Sequence, residues 1–440
     1  MNNNKNILIF ARELLPYCNS IGSSLRVITM ASHLANNGFN VKLLGAKGYE
    51  VSYFGFETEV KNLNILYIDD MLQRYYSLKA KNTSFENNVD TKKNIYSNFF
   101  KYIIQLILRI ISLPDIAIHF LYKFIYHSFK IIHSEKINVL LVTSPPHSSQ
   151  ILGLIIKLYF RKKIKLIVDY RDGWNTFDIF KHKNKFKNKL SCFIENIVLQ
   201  SADVVLYQSP VVLYQLTNKY PTINADLHIK SLLIRNGYTL SDKKNKLNDL
   251  QGLKHFNQEV LRIGYFGTID FEPDSYRNPL QLLYFLDELD VKTEFHIYGS
   301  YIDPGFTFTF RNISIIKCQA VDFDVAQDKM TNFDILLTFH AAKSGSEEVV
   351  PGKFYEYIYA RRPLLVYGPP NMECGKIVTE YNIGRFITTE NTHSDLMNLK
   401  FIIDKRNHNL IVSNIEKVYQ DFSREYQYAK LVVCLNNLLI

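Results

Sequence analysis

Cysteine is scarce in this chain and never paired. The five cysteines, Cys18, Cys192, Cys318, Cys374 and Cys434, lie far apart and form no CxxC pair. A disulfide framework and a zinc site are therefore not expected, and a reducing compartment fits. Glycine and proline number only 18 and 13 in 440 residues and show no period, which excludes collagen-like and mucin-like chains. The opening MNNNKNILIF has a short apolar run and no small-residue cleavage site, so no signal peptide is read and a cytoplasmic location is expected. Several motifs are missing too. No GxGxxG follows a strand-like run, the stretch ending in Gly352-Lys353-Phe354 lacks P-loop spacing and a following Ser or Thr, and HExxH, GxSxG and the kinase signatures do not occur. NAD-dependent redox chemistry and P-loop ATP hydrolysis lose their usual support.

What is present is ordinary globular composition, with 47% hydrophobic, 14% aromatic and 21% charged residues. The length suits roughly two or three domains, with room for two cores. Lys plus Arg (52) exceeds Asp plus Glu (42), a net charge of +10. That excess permits an anionic partner without choosing among a nucleotide, a nucleic acid and an acidic membrane.

Short β-branched runs alternate with helical patterns from end to end. Residues 6–10, 41–44, 139–143, 164–170, 204–208 and 231–235 read as strands. Residues 23–37 read as a helix with Val27, Ala31 and Leu34 on one face and Gly38 as its stop. Residues 241–258 contain KKNKLNDLQ and almost no strand signal. The alternation then restarts, with strands at 261–266, 294–298, 334–339 and 364–367 and helices at 279–289 and 351–361. This spacing predicts an α/β chain of two Rossmann-like domains with parallel sheets, 1–240 and 259–421, joined by a linker at 241–258. A helix at 422–440 closes the chain, with Leu431, Val432, Leu435 and Leu438 as its apolar positions.

Residues 95–133 are rich in Ile, Leu, Phe and Tyr. Lys101, Gln105 and Arg109 recur every fourth residue, and after Pro114 so do Asp115, His119, Lys123 and His127. That step predicts two helices with narrow polar stripes and wide apolar faces. Charges at such intervals argue against a membrane span. Two readings remain, an interfacial segment on an anionic membrane or a packed helix pair in the first domain. The patterning is too apolar for nucleic-acid binding.

The most informative segment is GSEEVVPGKFYEYIYARRPLLVYGPP, residues 345–370. Pro351 suits the first turn of a helix, whose free N–H groups bind phosphate. Lys353 places a cation where the helix dipole disfavours one, which points to a nearby anion. Glu356 follows one turn on, within reach of ribose hydroxyls beside the same phosphates. Glu348 precedes Glu356 with seven residues between them. The simpler reading is a capped surface helix with a Lys–Glu pair.

PGKFYEYIYARRPLL resembles the PxKLxEYLAxxxPVL motif of glycosyltransferase family 4, retaining enzymes of the GT-B fold, and Glu348/Glu356 resembles that family's E-x7-E pair. Other landmarks follow in the family's order across nearly the whole chain. Gly22-Ser23-Ser24-Leu25-Arg26 resembles its Gly-rich loop, and Thr143-Ser144-Pro145-Pro146-His147-Ser148 a TGPPHS-like turn. Asp169-Tyr170-Arg171-Asp172-Gly173-Trp174 is similar to the DxRDxW signature of a polysaccharide-building subgroup. Ala202-Asp203-Val204-Val205 and Ile234-Arg235-Asn236-Gly237-Tyr238 resemble stretches before the interdomain linker. Tyr265-Phe266-Gly267-Thr268 resembles the opening of the nucleotide-binding domain. The chain departs from the pattern in the place of Pro351, five residues before Glu356, in the adjacent acids Glu347 and Glu348, and in lacking an obvious basic residue after Gly267. Arg277 fills that role if residues 269–276 fold back.

The resemblance implies a GT-B fold, with two Rossmann-like domains facing across a cleft and the last helix returning to the first. It implies transfer of a sugar from a nucleotide-diphosphate sugar to a glycan or lipid-linked acceptor, with retention of configuration, in surface polysaccharide synthesis. The donor would be held by Glu356, Lys353, Gly352, Gly267, Thr268, Arg277 and Gly299, with Gly22 offering backbone N–H groups from the first domain. Glu348 would orient the donor sugar, His147 would contact that sugar or the acceptor hydroxyl, and Asp172 would position or deprotonate the acceptor. Trp174, the single tryptophan, would stack on a sugar or fill the core. No metal or other cofactor is expected, since no Asp-x-Asp stands where a metal-dependent transferase needs it. No nucleic-acid partner is expected, and an anionic membrane face is a candidate contact. A GT-B-fold sugar-nucleotide epimerase and a non-catalytic nucleotide-sugar-binding protein are the competing readings.

Overall fold

The structure is a computed structural model describing residues 5–18, 21–50, 56–75, 112–240, 260–272, 275–302, 309–340 and 346–440. The expected linker at 241–258 and the stripe Lys101, Gln105 and Arg109 lie outside the described residues. The chain forms two compact units. The first holds Met1–Gln208, Val212–Ile234 and Tyr428–Ile440, and the second Ser209–Val211 and Arg235–Gln427.

The first unit is built on seven strands, β1 (Asn6–Phe10), β2 (Asn40–Lys47), β3 (Asn64–Asp69), β4 (Val139–Ser144), β5 (Lys165–Tyr170), β6 (Val204–Tyr207) and β7 (Ser231–Leu233). All pair in parallel, in the order β3-β2-β1-β4-β5-β6-β7. The central strands are buried on both faces, which is why ILIF and VLLVTS are continuous apolar runs rather than alternating ones. Burying one such side chain, Leu141 for example, contributes about 1.5–3 kcal/mol. One face packs on the helix Ile21–Asn36 and on Tyr428, Leu431 and Leu435 of the last helix, Arg424–Leu438. The other face packs on the helices Leu121–Glu135, Ser148–Phe160 and Lys185–Ser201.

The second unit has a six-stranded sheet of β8 (Leu261–Phe266), β10 (Thr293–Tyr298), β12 (Ile313–Cys318), β13 (Ile335–Phe339), β14 (Leu364–Gly368) and β15 (Gly384–Thr388). Its order is β12-β10-β8-β13-β14-β15, again parallel, and β9 (Ile269–Asp270) pairs with β11 (Tyr301–Ile302) beside it. In each unit the strand order reverses beside the first strand, where a doubly wound sheet leaves room for a ligand at its carboxyl ends.

Three expectations need correction. Asp115, His119, Lys123 and His127 do not share one helix face. Asp115 caps the short 3-10 helix Ile116–Phe120 by accepting the Ala117 N–H, and the α-helix starts only at Leu121. The different rise and twist of the 3-10 turn break the four-residue register. Gly22 lies in the first turn of the helix Ile21–Asn36 rather than in a loop. The strands β3, β12 and β15 have no counterpart in the sequence reading; each is a sheet edge.

Candidate functional site

At the carboxyl end of β8 the chain turns at Gly267, with φ of 149°, and at the end of β10 it turns at Gly299, with φ of 146°. A Cβ on Gly299 would lie 2.4 Å from the Gly267 carbonyl oxygen, so two backbones meet where only glycine fits. The Gly267 N–H donates to the Tyr298 carbonyl at 2.8 Å, which fixes the turn. A Cβ on Gly267 would stand 3.0 Å from Lys353 Nζ. The turn therefore makes room for the lysine.

Lys353 is the second residue of the helix Gly352–Tyr359, whose N-cap Pro351 offers no side-chain hydrogen bond. The leading N–H groups have no side-chain cap, and the Cβ direction of Gly352 opens on empty space. The lysine ammonium sits 3.5 Å from the centroid of the Tyr265 ring, a cation–π contact. The Tyr265 hydroxyl donates to the Thr268 carbonyl at 3.0 Å, bringing Thr268 into the same cluster. Desolvation pushes the Lys353 pKa well down, and Arg277 pushes it further the same way. The Asp270 N–H donates to the Arg277 carbonyl at 3.2 Å, which sets Arg277 beside β9.

A third basic group, absent from the sequence reading, completes this cluster. His340 follows the last residue of β13 and is buried, with no hydrogen-bond partner for Nδ1. Burial lowers its pKa to about 3, and Lys353 and Arg277 both act in the same direction. Among the described residues, Lys353, Arg277 and His340 make no ion pair with any carboxylate. The rule that ligands bind at strand carboxyl ends, applied to the residue after 334–339, was the signal that could have found it.

Glu356 is buried one turn beyond Lys353. Its Oε2 accepts from Gln327 Nε2 at 2.7 Å, and Oε1 faces the Arg424 guanidinium at 3.8 Å. Burial raises its pKa while Arg424 and Gln327 oppose that shift. Each carboxylate oxygen retains acceptor capacity beyond these contacts. Glu348 ends the short turn Ser346–Glu348 and is buried, whereas its neighbour Glu347 is half-buried.

The first unit holds a separate constellation. His147 is buried, with its ring stacked on Trp174 at 5.5 Å and 4° and edge-on to Phe180 at 4.7 Å. Neither ring nitrogen has a hydrogen-bond partner, and burial with Arg171 nearby lowers the pKa to about 3. A neutral imidazole can donate through one nitrogen and accept through the other. Trp174 is fully buried and forms one wall of this group. Arg171 Nε donates to the Ser144 carbonyl at 3.1 Å and Nη2 to the Pro145 carbonyl, which staples the Asp169–Trp174 stretch to the Pro-Pro-His turn. Asp172 is half-buried, and desolvation holds its pKa above the usual carboxylate range against the pull of Arg171, with Asp169 adding to the rise. Asp169 is structural. It accepts from Arg26 Nε at 3.1 Å, Arg26 Nη2 at 2.8 Å and Thr143 Oγ1 at 2.9 Å, all out of water. Gly22 is exposed one helical turn before Arg26.

The structure thus gathers Lys353, Gly267, Thr268, Gly299 and Arg277 at one sheet end, with Gly352 and Glu356 on the adjoining helix. In the first unit it stacks His147 on Trp174 and sets Arg171 close enough to act electrostatically on both His147 and Asp172. No protein-family model matches the chain, and no curated protein matches it in sequence. Solved structures do match along its whole length. TarM aligns with a TM-score of 0.54 at 11% identity, covering 100% of both chains. Arabidopsis thaliana UGT89C1 in complex with UDP-L-rhamnose aligns at 0.51 and 11% identity over 99% of each, and the kitacinnamycin glycotransferase at 0.51 and 8% over 99% of each. The fold these glycosyltransferases share with this chain is GT-B, two Rossmann-like domains in series.

Proposed function

We propose that this protein is a glycosyltransferase that moves a sugar from a nucleotide-diphosphate sugar to a glycan or lipid-linked acceptor, with retention of configuration, in surface polysaccharide synthesis. The observation that carries the reading is the crowding of Lys353, Arg277 and His340 at the carboxyl end of the second sheet without a carboxylate partner among the described residues. Lys353 is a desolvated ammonium that Arg277 disfavours further, and such a buried cation is costly unless an anion enters. A diphosphate is an anion of the right charge, and its stabilisation as a leaving group is the electrostatic work a transferase needs.

In this reading the diphosphate lies against Lys353, Arg277 and the N–H groups at Gly352, with Gly267, Thr268 and Gly299 giving close backbone approach. Glu356 accepts from the ribose hydroxyls and Glu348 orients the donor sugar. His147, neutral at physiological pH, donates to or accepts from a sugar hydroxyl. Asp172, made more basic by burial, positions or deprotonates the acceptor. Gly22 adds backbone N–H groups at a helix start.

The test is calorimetric titration with UDP, GDP, ADP and dTDP, followed by transfer assays with the sugar nucleotide of the base that binds. Binding of one nucleoside diphosphate that Arg277→Ala weakens about tenfold or more supports the site. Binding that is indifferent to Arg277→Ala and Lys353→Met, or none to any nucleotide, would overturn it.

A further inference from the structure

The helix Lys185–Ser201 is apolar on two faces. Val198 and Leu199 point inward and are fully buried. On the other side Phe186 is 75% exposed, Phe193 60% and Leu190 39%, at positions i, i+7 and i+4 of a single stripe. The helix start is fixed, since Asn184 Oδ1 accepts from the Phe186 and Lys187 N–H groups at 3.0 and 3.1 Å. The stripe is therefore presented by a capped helix.

Its surroundings are cationic. Lys181, Lys183, Lys185, Lys187 and Lys189 flank it, whereas the acids of residues 178–195 are Asp178, paired with Lys181, and the fully buried Glu195. Lys183, Lys185 and Lys189 are exposed and make no ion pair among the described residues. The helix Ser148–Phe160 packs beside this one and repeats the pattern. Its Leu158 and Tyr159 are exposed, and exposed Arg161, Lys162 and Lys163 follow. The helix Leu121–Glu135 packs against Ser148–Phe160 in turn and exposes Tyr122 and Tyr126.

We infer that this helical layer of the first unit docks on an anionic lipid bilayer, with Phe186, Leu190 and Phe193 entering the headgroup region and the lysines meeting acidic headgroups. Charge complementarity selects the partner. An amphipathic helix with a cationic border and bulky apolar tips is suited to lie in a bilayer interface. Lysine fits a fluid charged surface, because its flexible stem can extend along the apolar tips and its ammonium needs no fixed geometry, whereas arginine is favoured against rigid bidentate partners. No helix among the described residues is long and apolar enough to cross a membrane. The surface takes in the helix Leu121–Glu135, most of which belongs to the apolar region 95–133, and extends it to two further helices; the inference stands whether or not sugar transfer is the activity.

The experiment is co-sedimentation of the full chain with phosphatidylcholine vesicles, either pure or with about 30 mol % phosphatidylglycerol. Binding is expected only to the anionic vesicles and should weaken steeply as salt rises from about 0.05 to 0.5 M. The variant K183Q/K185Q/K189Q should bind about 100-fold more weakly, and F186S/F193S about tenfold, with melting temperature and nucleotide binding unchanged. Equal binding to neutral vesicles, or no binding to either, overturns the inference, the second result turning attention to an acidic protein as occupant. So does parental binding by both variants, which would place any bilayer contact elsewhere on the chain.

Discussion

His147 offers a quantitative test of the first-unit site. Its folded pKa is about 3 because the ring is buried and faces Arg171, whereas an unfolded histidine titrates near 6.5. Between those values the unfolded chain binds a proton that the folded chain refuses. Stability from the neutral ring is therefore complete above about pH 6.5 and declines as pH falls towards 3. The slope is about 1.4 kcal/mol per pH unit, so moving from pH 6.5 to 5 costs about 2 kcal/mol. Against a typical total of about 5–15 kcal/mol that is a large share. Asp172 and Glu195, whose burial raises their pKa values, work in the opposite sense and blur the raw profile. Comparison with His147→Phe removes them, because phenylalanine keeps a ring against Trp174 and does not titrate. Urea unfolding at pH 7, 6 and 5 should show the stability gap between parent and variant moving by about 2 kcal/mol in favour of the variant as pH falls. At an m-value of about 3 kcal/mol per M this shifts the relative midpoint by about 0.7 M. Parallel pH profiles for the two proteins would refute the buried, uncharged imidazole.

Lys353→Met should raise the melting temperature of the ligand-free protein, because it removes a desolvated ammonium pressed by Arg277, yet weaken nucleoside diphosphate binding about 10- to 100-fold; a variant that is less stable and binds normally contradicts both halves. Gly299→Ala places a Cβ 2.4 Å from the Gly267 carbonyl oxygen at φ of 146°, so it should destabilise the protein by at least about 2 kcal/mol in chemical denaturation and lower nucleotide affinity; wild-type stability would show that the two turns do not touch. Asp169→Ala leaves the buried Arg26 without its bidentate partner, an expected loss of about 3–5 kcal/mol by urea denaturation; a loss under about 1 kcal/mol would mean the pair is not buried as described.

The sequence alone determined the layering of this protein. β1 and β8 appear with the ends their apolar runs predict, and the helix Gly352–Tyr359 starts directly after the proline that marks it. Such features are local, because a central parallel strand must be apolar on both faces and a helix start must resolve its own N–H groups. The strands β3, β12 and β15 are edge strands with mostly half-buried or exposed residues and went unread, whereas the edge strand β7 was read, so edge position alone does not hide a strand. Candidate residues were legible as types at suggestive spacings, and Lys353 stood out because a cation at a helix start runs against the dipole. Only the tertiary structure decided what these residues meet. His340 joins Lys353 because β13 is the neighbour of β8, a pairing that no local pattern encodes. Asp169 belongs to Arg26, 143 positions away, which separates it from Asp172 within one six-residue motif. Pairings of that kind are set by sheet order and burial, and both depend on contacts between distant parts of the chain.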